Sequence, residues 1–384
     1  MRIRDVLPGC IGLLLFAGNA AAQSALKDAF KDQFLIGAAL NESQFTERDP
    51  AKTALIKAQF NSISPENVLK WDATEPRMGE YHFDGADRYV AFGEKNGMFI
   101  IGHNLVWHSQ VPGSVFTDAN GQAVDRETLL GRMRDHIQTV VGRYKGRVNG
   151  WDVVNEALDK NGTLRDSPWR KVIGDDYLVK AYQFAHEADP KAELYYNDYG
   201  IETGAKRTGT IALMEKLKAA GVPITGIGIQ EHVNLSWPKP ADVDEAITAF
   251  SKLGLKVMVT ELDVDVLPSR SHSVSADVGR NESTDPSLNP YPNGLPDDVQ
   301  QALARRYAEL FAVYARHRGA VSRVTFWGVT DGDSWLNNWP IRGRIDYPLL
   351  FDRAGHPKPA YDAVIAASKL SVSQTSQGTN PSGK

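Results

Sequence analysis

Short apolar runs of strand length alternate with helical stretches along most of this chain. Eight runs are candidate strands: 34–40, 62–66, 99–105, 148–155, 193–198, 226–230, 256–261 and 323–327. The clearest helical stretches between them are 126–144, 177–188, 205–220, 243–253 and 297–318. Regular alternation of strands and helices predicts repeated βα units arranged around a parallel sheet.

Eight such units are the number that closes into a (β/α)8 TIM barrel, so we expect an α/β fold with one domain over residues 23–367. The alternative is an open, doubly wound sheet. That fold usually carries a glycine-rich phosphate turn after its first strand, and no such turn follows residue 40. The pattern therefore favours the barrel.

The first 22 residues have a different character from the rest of the chain. Arg2 and Arg4 precede an apolar stretch at 11–17, and alanines follow at 20–22. This pattern predicts a secretion signal peptide over 1–22, cleaved near Ala22, and a secreted or periplasmic protein. The apolar stretch is too short to span a bilayer, so we expect no membrane association of the mature form. The only cysteine, Cys10, lies within this signal.

Two later segments do not fit the βα repeat. Residues 267–296 form a long polar insertion after the seventh strand, and residues 368–384 are rich in Ser, Gln, Thr and Gly. Long loops of this kind are usually functional or mobile. We expect the insertion to be a mobile decoration and not a wall of a binding cleft. The tail is predicted to be disordered.

Composition limits the classes of function. The chain of 384 residues has a formal net charge of -4 and 42% hydrophobic residues. An acidic balance without a basic run argues against a nucleic-acid partner. We expect a monomer.

Polar and aromatic residues follow nearly every predicted strand. Glu156 ends the fourth strand and Glu261 ends the seventh. Because the carboxyl ends of barrel strands form one face, these two carboxyls are expected to meet there. Paired carboxyls hydrolyse glycosidic bonds, and amides, lysine and indole faces suit sugar hydroxyls and rings. The other candidates are Glu66, Asn67, Lys70, His103, Trp107, Gln110, Asn155, Gln230, His232, Asp263, Trp327 and Trp335.

A single histidine or asparagine at a strand end is more often structural than catalytic. The recurrence of such residues around the ring is what favours a cleft. A metal site is an alternative, because His103, His108 and His232 could meet at the barrel mouth. Their spacing lacks a compact ligand motif, so we predict no metal and no cofactor.

Six segments together resemble glycoside hydrolase family 10, the family of endo-β-1,4-xylanases. They are 65–71, 102–110, 151–157, 228–232, 260–263 and 327–331, and they run in the family's order between residues 34 and 366. The fourth segment departs from the family pattern, because Glu231 stands where a small residue is more usual. Its flanking residues Gln230 and His232 are intact.

The resemblance implies a role for each matching residue. Glu261 would be the nucleophile, and Glu156 the acid/base, its pKa raised by the nearby anionic Glu261. His232, held by Asp263, would orient Glu261, while Asn155 would bind the sugar 2-hydroxyl. Residues expected to bind hydroxyls on the non-reducing side are Glu66, Asn67, Lys70, His103 and Gln230. Those expected to pack on sugar faces are Trp107, Trp327 and Trp335.

The resemblance also implies xylan and xylo-oligosaccharides as substrates, with Gln110 and Trp335 facing the position of the hydroxymethyl group that distinguishes glucose from xylose. Two alternatives stay open. One is a β-1,4-glucanase or a mixed xylanase and glucanase. The other is a sugar-binding protein without turnover, whose mark would be the loss of either glutamate; both are present.

Overall fold

The computed structural model describes residues 24–269, 278–279 and 282–370. The predicted signal peptide, the middle of the 267–296 insertion and residues 371–384 of the tail lie outside the described residues. Across the part that is described, no helix combines the length and apolar character needed to cross a membrane.

Nine parallel strands organise the described chain. They are β1 Leu35–Leu40, β2 Ser62–Pro65, β3 Phe99–Val106, β4 Gly150–Asn155, β5 Glu193–Asp198, β6 Gly226–Ile229, β7 His232–Asn234, β8 Lys256–Asp265 and β9 Val321–Phe326. Each of β1 to β5 pairs with the next strand in sequence, β6 pairs with β8, β8 with β9, and β9 with β1. These eight strands close the predicted (β/α)8 barrel, while β7 is an additional short strand paired with β8.

Twelve α-helices occur in the described chain. They are α1 Leu26–Ala29, α2 Glu42–Phe45, α3 Pro50–Gln59, α4 Trp71–Thr74, α5 Asp84–Lys95, α6 Arg126–Arg143, α7 Pro168–Ile173, α8 Tyr177–Ala188, α9 Gly204–Ala219, α10 Pro240–Lys252, α11 Asp297–Arg316 and α12 Pro359–Ala367. The five predicted helices are confirmed within about one turn of the helix at each end. Some starts have a visible cause: Asp125 accepts the backbone N–H of Thr128 and caps α6.

The barrel interior is filled by side chains in layers. Ile101, Tyr195 and Met258 form one buried cluster and come from β3, β5 and β8, which are alternate strands around the ring. The helices cover the outside. On α11, for example, the ring of Phe311 stacks on Phe326 of β9 with centroids 5.9 Å apart. A filled interior leaves the strand ends as the place for a site.

The prediction that the seventh barrel strand ends at Glu261 is wrong. Strand β8 continues to Asp265, because β7 pairs with its extension and places His232 opposite Asp263. The register between β8 and β9 shifts between Val259 and Leu262, so Glu261 lies in a local irregularity of the ladder. Irregularities of this kind re-aim a side chain, and this one directs Glu261 into the barrel mouth.

Candidate active site

The carboxyl ends of the strands enclose a cavity of about 140 Å³. Thirteen of the fourteen predicted site residues line it: Glu66, Asn67, Lys70, His103, Trp107, Gln110, Asn155, Glu156, Gln230, His232, Glu261, Trp327 and Trp335. The fourteenth, Asp263, lies behind the cavity wall and contacts two of the lining residues.

Glu156 follows β4 and is held by three donors. The indole N–H of Trp107 donates to Oε2 at 2.9 Å, and the amide of Gln230 donates to Oε1 at 3.1 Å. Asn155 donates to the same Oε1 at 3.3 Å. Trp107 therefore contacts the carboxyl of Glu156, in addition to the sugar-stacking role implied by the resemblance.

Burial raises the pKa of Glu156 to about 7, and the anion of Asp198 adds to the rise. The expectation that Glu261 supplies this shift is only partly correct, because Glu261 contributes less than burial or Asp198. A carboxyl with a pKa near 7 can both give and take a proton at neutral pH.

The pKa of Glu261 is shifted in the opposite direction. Its Oε1 accepts the amide of Asn197 at 2.7 Å, and its Oε2 lies 3.0 Å from Nε2 of His232. Burial alone would raise the pKa of this carboxyl. The hydrogen bond from His232, the charge of His103 and the bond from Asn197 outweigh burial, so the pKa of Glu261 lies below its usual value.

His232 is a buried cation in the site. Its Nδ1 lies 3.0 Å from Oδ1 of Asp263, while Nε2 faces Glu261. Although burial disfavours the charged form, Asp263 and then Glu261 raise the pKa of His232 to about 10. At neutral pH the imidazolium donates from both nitrogens, and the predicted chain from Asp263 through His232 to Glu261 is present.

A second polar group lies across the cavity. The ammonium of Lys70 donates to Gln110 at 2.7 Å and to Asn67 at 3.0 Å, and it lies 5.2 Å from the centre of the Trp107 ring. Burial lowers the pKa of Lys70, while Glu261 and Glu66 oppose that shift. His103 is oriented by Asp152, with 2.9 Å between Nδ1 and the carboxylate.

Trp327 and Trp335 form the aromatic wall. The Trp327 ring meets His103 and His232 edge-on, with centroids 5.4 and 6.2 Å away. Trp335 donates its indole N–H to Oδ2 of Asp263 at 2.7 Å, and Trp339 stacks behind it at 4.4 Å. Asp263 thus holds both the cationic His232 and an aromatic wall of the cavity.

Backbone strain is concentrated at the site. In the described residues, φ is positive at four non-glycine positions, and three of these lie in or beside the cavity: Gln110, Glu156 and Glu231. Side chains rarely occupy this left-handed region, at a cost of about 1–3 kcal/mol each. Such strain persists where the surrounding contacts over-determine the conformation, as the three donors to Glu156 do.

Sequence reasoning left out several residues that hold the catalytic carboxyls. Asn197 bonds Glu261 and also donates to Oδ1 of Asn155 at 2.9 Å, and Thr260 donates to Asn197 at 2.6 Å. A Cβ at Gly228 would lie 2.5 Å from Oδ1 of Asn197, so only glycine leaves room for this amide. The position of Asn197 at a strand end was the available signal; its partner could not be read from the chain.

The 267–296 insertion contributes to the cleft. Val278 lines the catalytic cavity. A larger adjoining cavity of about 580 Å³ shares His232 and Trp335 with it and is lined in part by Ser269, Ser287 and Tyr291. The expectation that the insertion stands apart from the cleft is therefore wrong for these residues, because both flanks of the segment fold back against the barrel mouth.

The described residues contain no group of three or more His, Cys, Asp and Glu side chains able to hold a metal ion. The residues at the cavity instead match the needs of proton transfer and sugar binding. A (β/α)8 barrel with two buried carboxyls at its strand ends, whose pKa values are shifted in opposite directions, defines a glycoside hydrolase.

The family model described as Glycosyl hydrolase family 10 matches residues 25–367. The chain belongs to that family. It is 43% identical over 365 residues to endo-1,4-beta-xylanase A of Xylanibacter ruminicola, covering 94% of this chain and 99% of that one. It is 42% identical to a beta-1,4-xylanase of Dictyoglomus thermophilum, covering 92% and 94% of the two chains.

Among solved structures, the fold is similar to that of a novel family 10 endoxylanase retrieved from a sugarcane soil metagenome. The TM-score is 0.87 at 45% sequence identity, with 89% of this chain and 99% of the other covered.

Proposed function

We propose that the protein is a retaining endo-1,4-β-xylanase in which Glu261 is the nucleophile and Glu156 the acid/base. One observation carries the assignment of roles. Two carboxyls line the same cavity, yet burial and Asp198 raise the pKa of Glu156 to about 7 while His232 and Asn197 keep that of Glu261 below its usual value. When two neighbouring carboxyls have pKa values shifted in opposite directions, the one with the raised pKa can act as the acid and the other as the nucleophile.

In the first step, the carboxylate of Glu261 attacks the anomeric carbon and a covalent bond forms between them. The bond from that carbon to the leaving oxygen breaks, and Glu156 gives its proton to this oxygen. Because the imidazolium of His232 and the amide of Asn197 each hold one oxygen of Glu261, the nucleophile enters the reaction ionised and oriented.

In the second step, Glu156 is ionised and takes a proton from water. The water oxygen bonds to the anomeric carbon, and the bond to Glu261 breaks, which restores both carboxyls. Esterified Glu261 carries no charge, so its share of the rise in the pKa of Glu156 disappears. The larger effects of burial and Asp198 persist, which keeps Glu156 a competent base near neutral pH.

Xylan is supported as substrate by the named relatives and by the lining of the cavity. Glu66, Asn67, Lys70 and His103 present charges and hydrogen-bonding groups to sugar hydroxyls, and Trp327 and Trp335 present aromatic surface to sugar rings. Gln230 also lines the cavity, but its amide donates to Glu156, which adds orientation of the acid to its implied hydroxyl binding. Asn155, beside Glu156, is the proposed partner of the 2-hydroxyl, a contact that strengthens in the transition state.

The test compares Glu156→Ala with Glu261→Ala on xylan and on a 2,4-dinitrophenyl xylobioside. Glu156→Ala should lose activity on xylan far more than on the aryl glycoside, whose leaving group departs without a proton. Azide should restore its turnover and give a β-glycosyl azide. Glu261→Ala should fail on both substrates.

Glu66→Ala serves as the matched control, because it removes a carboxyl that lines the same cavity without a proposed role in proton transfer. It should show neither azide rescue nor dependence on the leaving group. The assignment of Glu156 and Glu261 would be contradicted if both variants lost the same activity on both substrates. It would also be contradicted by an α-anomer as the first product seen by NMR.

We further propose that residues 1–22 direct export and that the mature enzyme is a monomer without a nucleic-acid or membrane partner. Cleavage after Ala22 would leave Gln23 as the first residue. N-terminal sequencing of the exported protein and its mass in solution test these two statements. An intact N-terminus, or twice the mass, would contradict them.

A further inference from the structure

Glu231 is a buried carboxyl that the proposed mechanism does not use. It stands between two residues of the catalytic cavity, Gln230 and His232, but it does not line the cavity itself. Its side chain is 0% exposed.

The side chain of Glu231 is anchored on helix α11. The hydroxyl of Tyr314 donates to Oε2 of Glu231 at 2.6 Å, and both residues are fully buried. About two turns earlier on the same helix, the guanidinium of Arg306 donates to the backbone carbonyls of Asn234 at 3.0 Å and Pro238 at 2.5 Å. Helix α11 therefore holds the chain at Glu231, before β7, and again beyond β7.

The backbone at Glu231 makes a strained corner, with φ at 58°. On one side of the corner, Gln230 donates to Glu156 at 3.1 Å; on the other, His232 lies 3.0 Å from Glu261. Both proposed catalytic carboxyls are thus oriented from the two residues that flank this corner. A left-handed corner is retained only when contacts around it fix its geometry.

We propose that Glu231 is a positioning residue for the reaction: Tyr314 anchors its side chain, and this anchor fixes the corner that aims Gln230 at Glu156 and His232 at Glu261. The inference rests on the roles proposed above for the two carboxyls. It assigns to Glu231 no contact with the substrate or with the reacting atoms.

The charged and titratable groups around Glu231 indicate its protonation state. Tyr314 and Arg306 face it from α11, Glu202 from the segment after β5, and His232 is its neighbour in the chain. Burial, followed by the neighbouring carboxyl of Glu202, raises the pKa of Glu231 to about 8. At neutral pH the side chain is a neutral acid, so glutamine should replace it in both shape and charge.

The experiment measures kcat and KM on an aryl xylobioside across pH for Glu231→Ala, Glu231→Gln and Tyr314→Phe. A misaimed catalytic pair typically lowers turnover by about 100-fold, so Glu231→Ala should lose roughly 10- to 100-fold in kcat with little change in KM. The acid limb of its pH profile, the fall in activity at low pH as Glu261 takes up a proton, should move to higher pH. The reason is that a weaker hydrogen bond from His232 lets the pKa of Glu261 rise. Tyr314→Phe should move the limb in the same direction, and Glu231→Gln should stay close to the native enzyme.

Tyr307→Phe is the matched control. Tyr307 lies on the same helix, is fully buried and donates to the backbone carbonyl of Pro348 at 2.5 Å. The loss of the Tyr307 hydroxyl should lower the melting temperature of the protein without shifting the acid limb of its pH profile. A purely structural role for Glu231 would give this same result.

A pH profile of Glu231→Ala that matches the native enzyme overturns the proposal. An acid limb that shifts as far in Tyr307→Phe as in Glu231→Ala also overturns it. If Glu231→Ala does not fold, Tyr314→Phe provides the test. An acid limb at the native pH in Tyr314→Phe also overturns the proposal. Azide rescue of Glu156→Ala is measured in parallel. If azide rescues Glu156→Ala but the pH profiles of Glu231→Ala and Tyr314→Phe do not shift, only the positioning role of Glu231 is contradicted. If azide does not rescue Glu156→Ala, the proposed function itself is contradicted.

Discussion

Asn197 donates its side-chain amide to Oε1 of Glu261 at 2.7 Å. The same amide donates to Asn155 at 2.9 Å, and Asn155 in turn donates to Glu156. One buried amide therefore connects the proposed nucleophile to the proposed acid/base through a single residue. Because both of its partners are buried, the loss of this amide leaves acceptors that water cannot readily satisfy.

Asn197→Ala should lower kcat/KM by roughly 10- to 100-fold, since a hydrogen bond to a charged group contributes about 1.5–3 kcal/mol. The bond from Asn197 helps to keep the pKa of Glu261 low. Its removal should raise that pKa and move the acid limb of the pH profile to higher pH. Asn96→Ala is the control, because that amide donates at 2.7 Å to a carbonyl of α5, far from the site. An unmoved limb in Asn197→Ala would contradict the role.

Gly228→Ala should reproduce this defect without removing any polar group. The added Cβ would lie 2.5 Å from Oδ1 of Asn197 and 2.7 Å from Cγ2 of Thr260, so the amide must move away from Glu261. We expect a loss of activity and the same shift of the acid limb. At Gly131, on α6, a Cβ would meet nothing within 4 Å. Gly131→Ala should keep native kinetics; a harmless Gly228→Ala would show that Asn197 tolerates displacement.

The barrel and nearly all of the cavity could be predicted because periodic apolar runs mark the strands and the fold brings their ends together. Glu156 and Glu261 are polar breaks in such runs, which is a local signal. The pairing of β7 with β8 is not local. The extension of β8 to Asp265 therefore could not be read from a run that, by hydrophobicity, ends at Glu261.

Residues that act through a partner were harder to predict. Asn197 and Thr260 look like ordinary strand-end residues until the fold places them against Glu261. The cause of the pKa shift at Glu156 depends on burial and on Asp198, which are properties of the folded cavity. The place of the insertion could not be predicted for a related reason: its polar composition does not show that Val278 and Tyr291 reach the barrel mouth.

The alkaline limb of activity should report Glu156. Its pKa is about 7, so kcat/KM on phenyl xylobioside should fall as the pH rises through that value and the acid loses its proton. Asp198→Asn removes the anion that, after burial, most raises this pKa. The limb should therefore move to lower pH. A 2,4-dinitrophenyl xylobioside, which needs no proton on leaving, serves as the control and should show a weaker limb. A limb that stays in place in Asp198→Asn would contradict this account.

The preference for xylan over cellulose should be steric. The two polymers share the β-1,4 linkage and differ by a hydroxymethyl group on each ring, and the family resemblance places Gln110 and Trp335 against that group. Both residues are held: Gln110 accepts from Lys70 at 2.7 Å, and Trp335 is fixed by Asp263 and backed by Trp339. Rejection of one small group is worth about 1–3 kcal/mol, so aryl xylobioside should be preferred over aryl cellobioside by roughly 10- to 200-fold.

Gln110→Ala combined with Trp335→Phe should shrink this ratio, mainly by improving turnover of the cellobioside. Turnover of the xylobioside should also fall, because phenylalanine cannot donate to Asp263 and the aspartate that holds His232 loses one of its partners. Trp339→Phe is the matched control: Trp339 stacks behind Trp335 but does not line the catalytic cavity. It should leave the ratio unchanged. If the double variant keeps the native ratio, or the native enzyme favours cellobioside, discrimination does not arise from the space that these two side chains occupy.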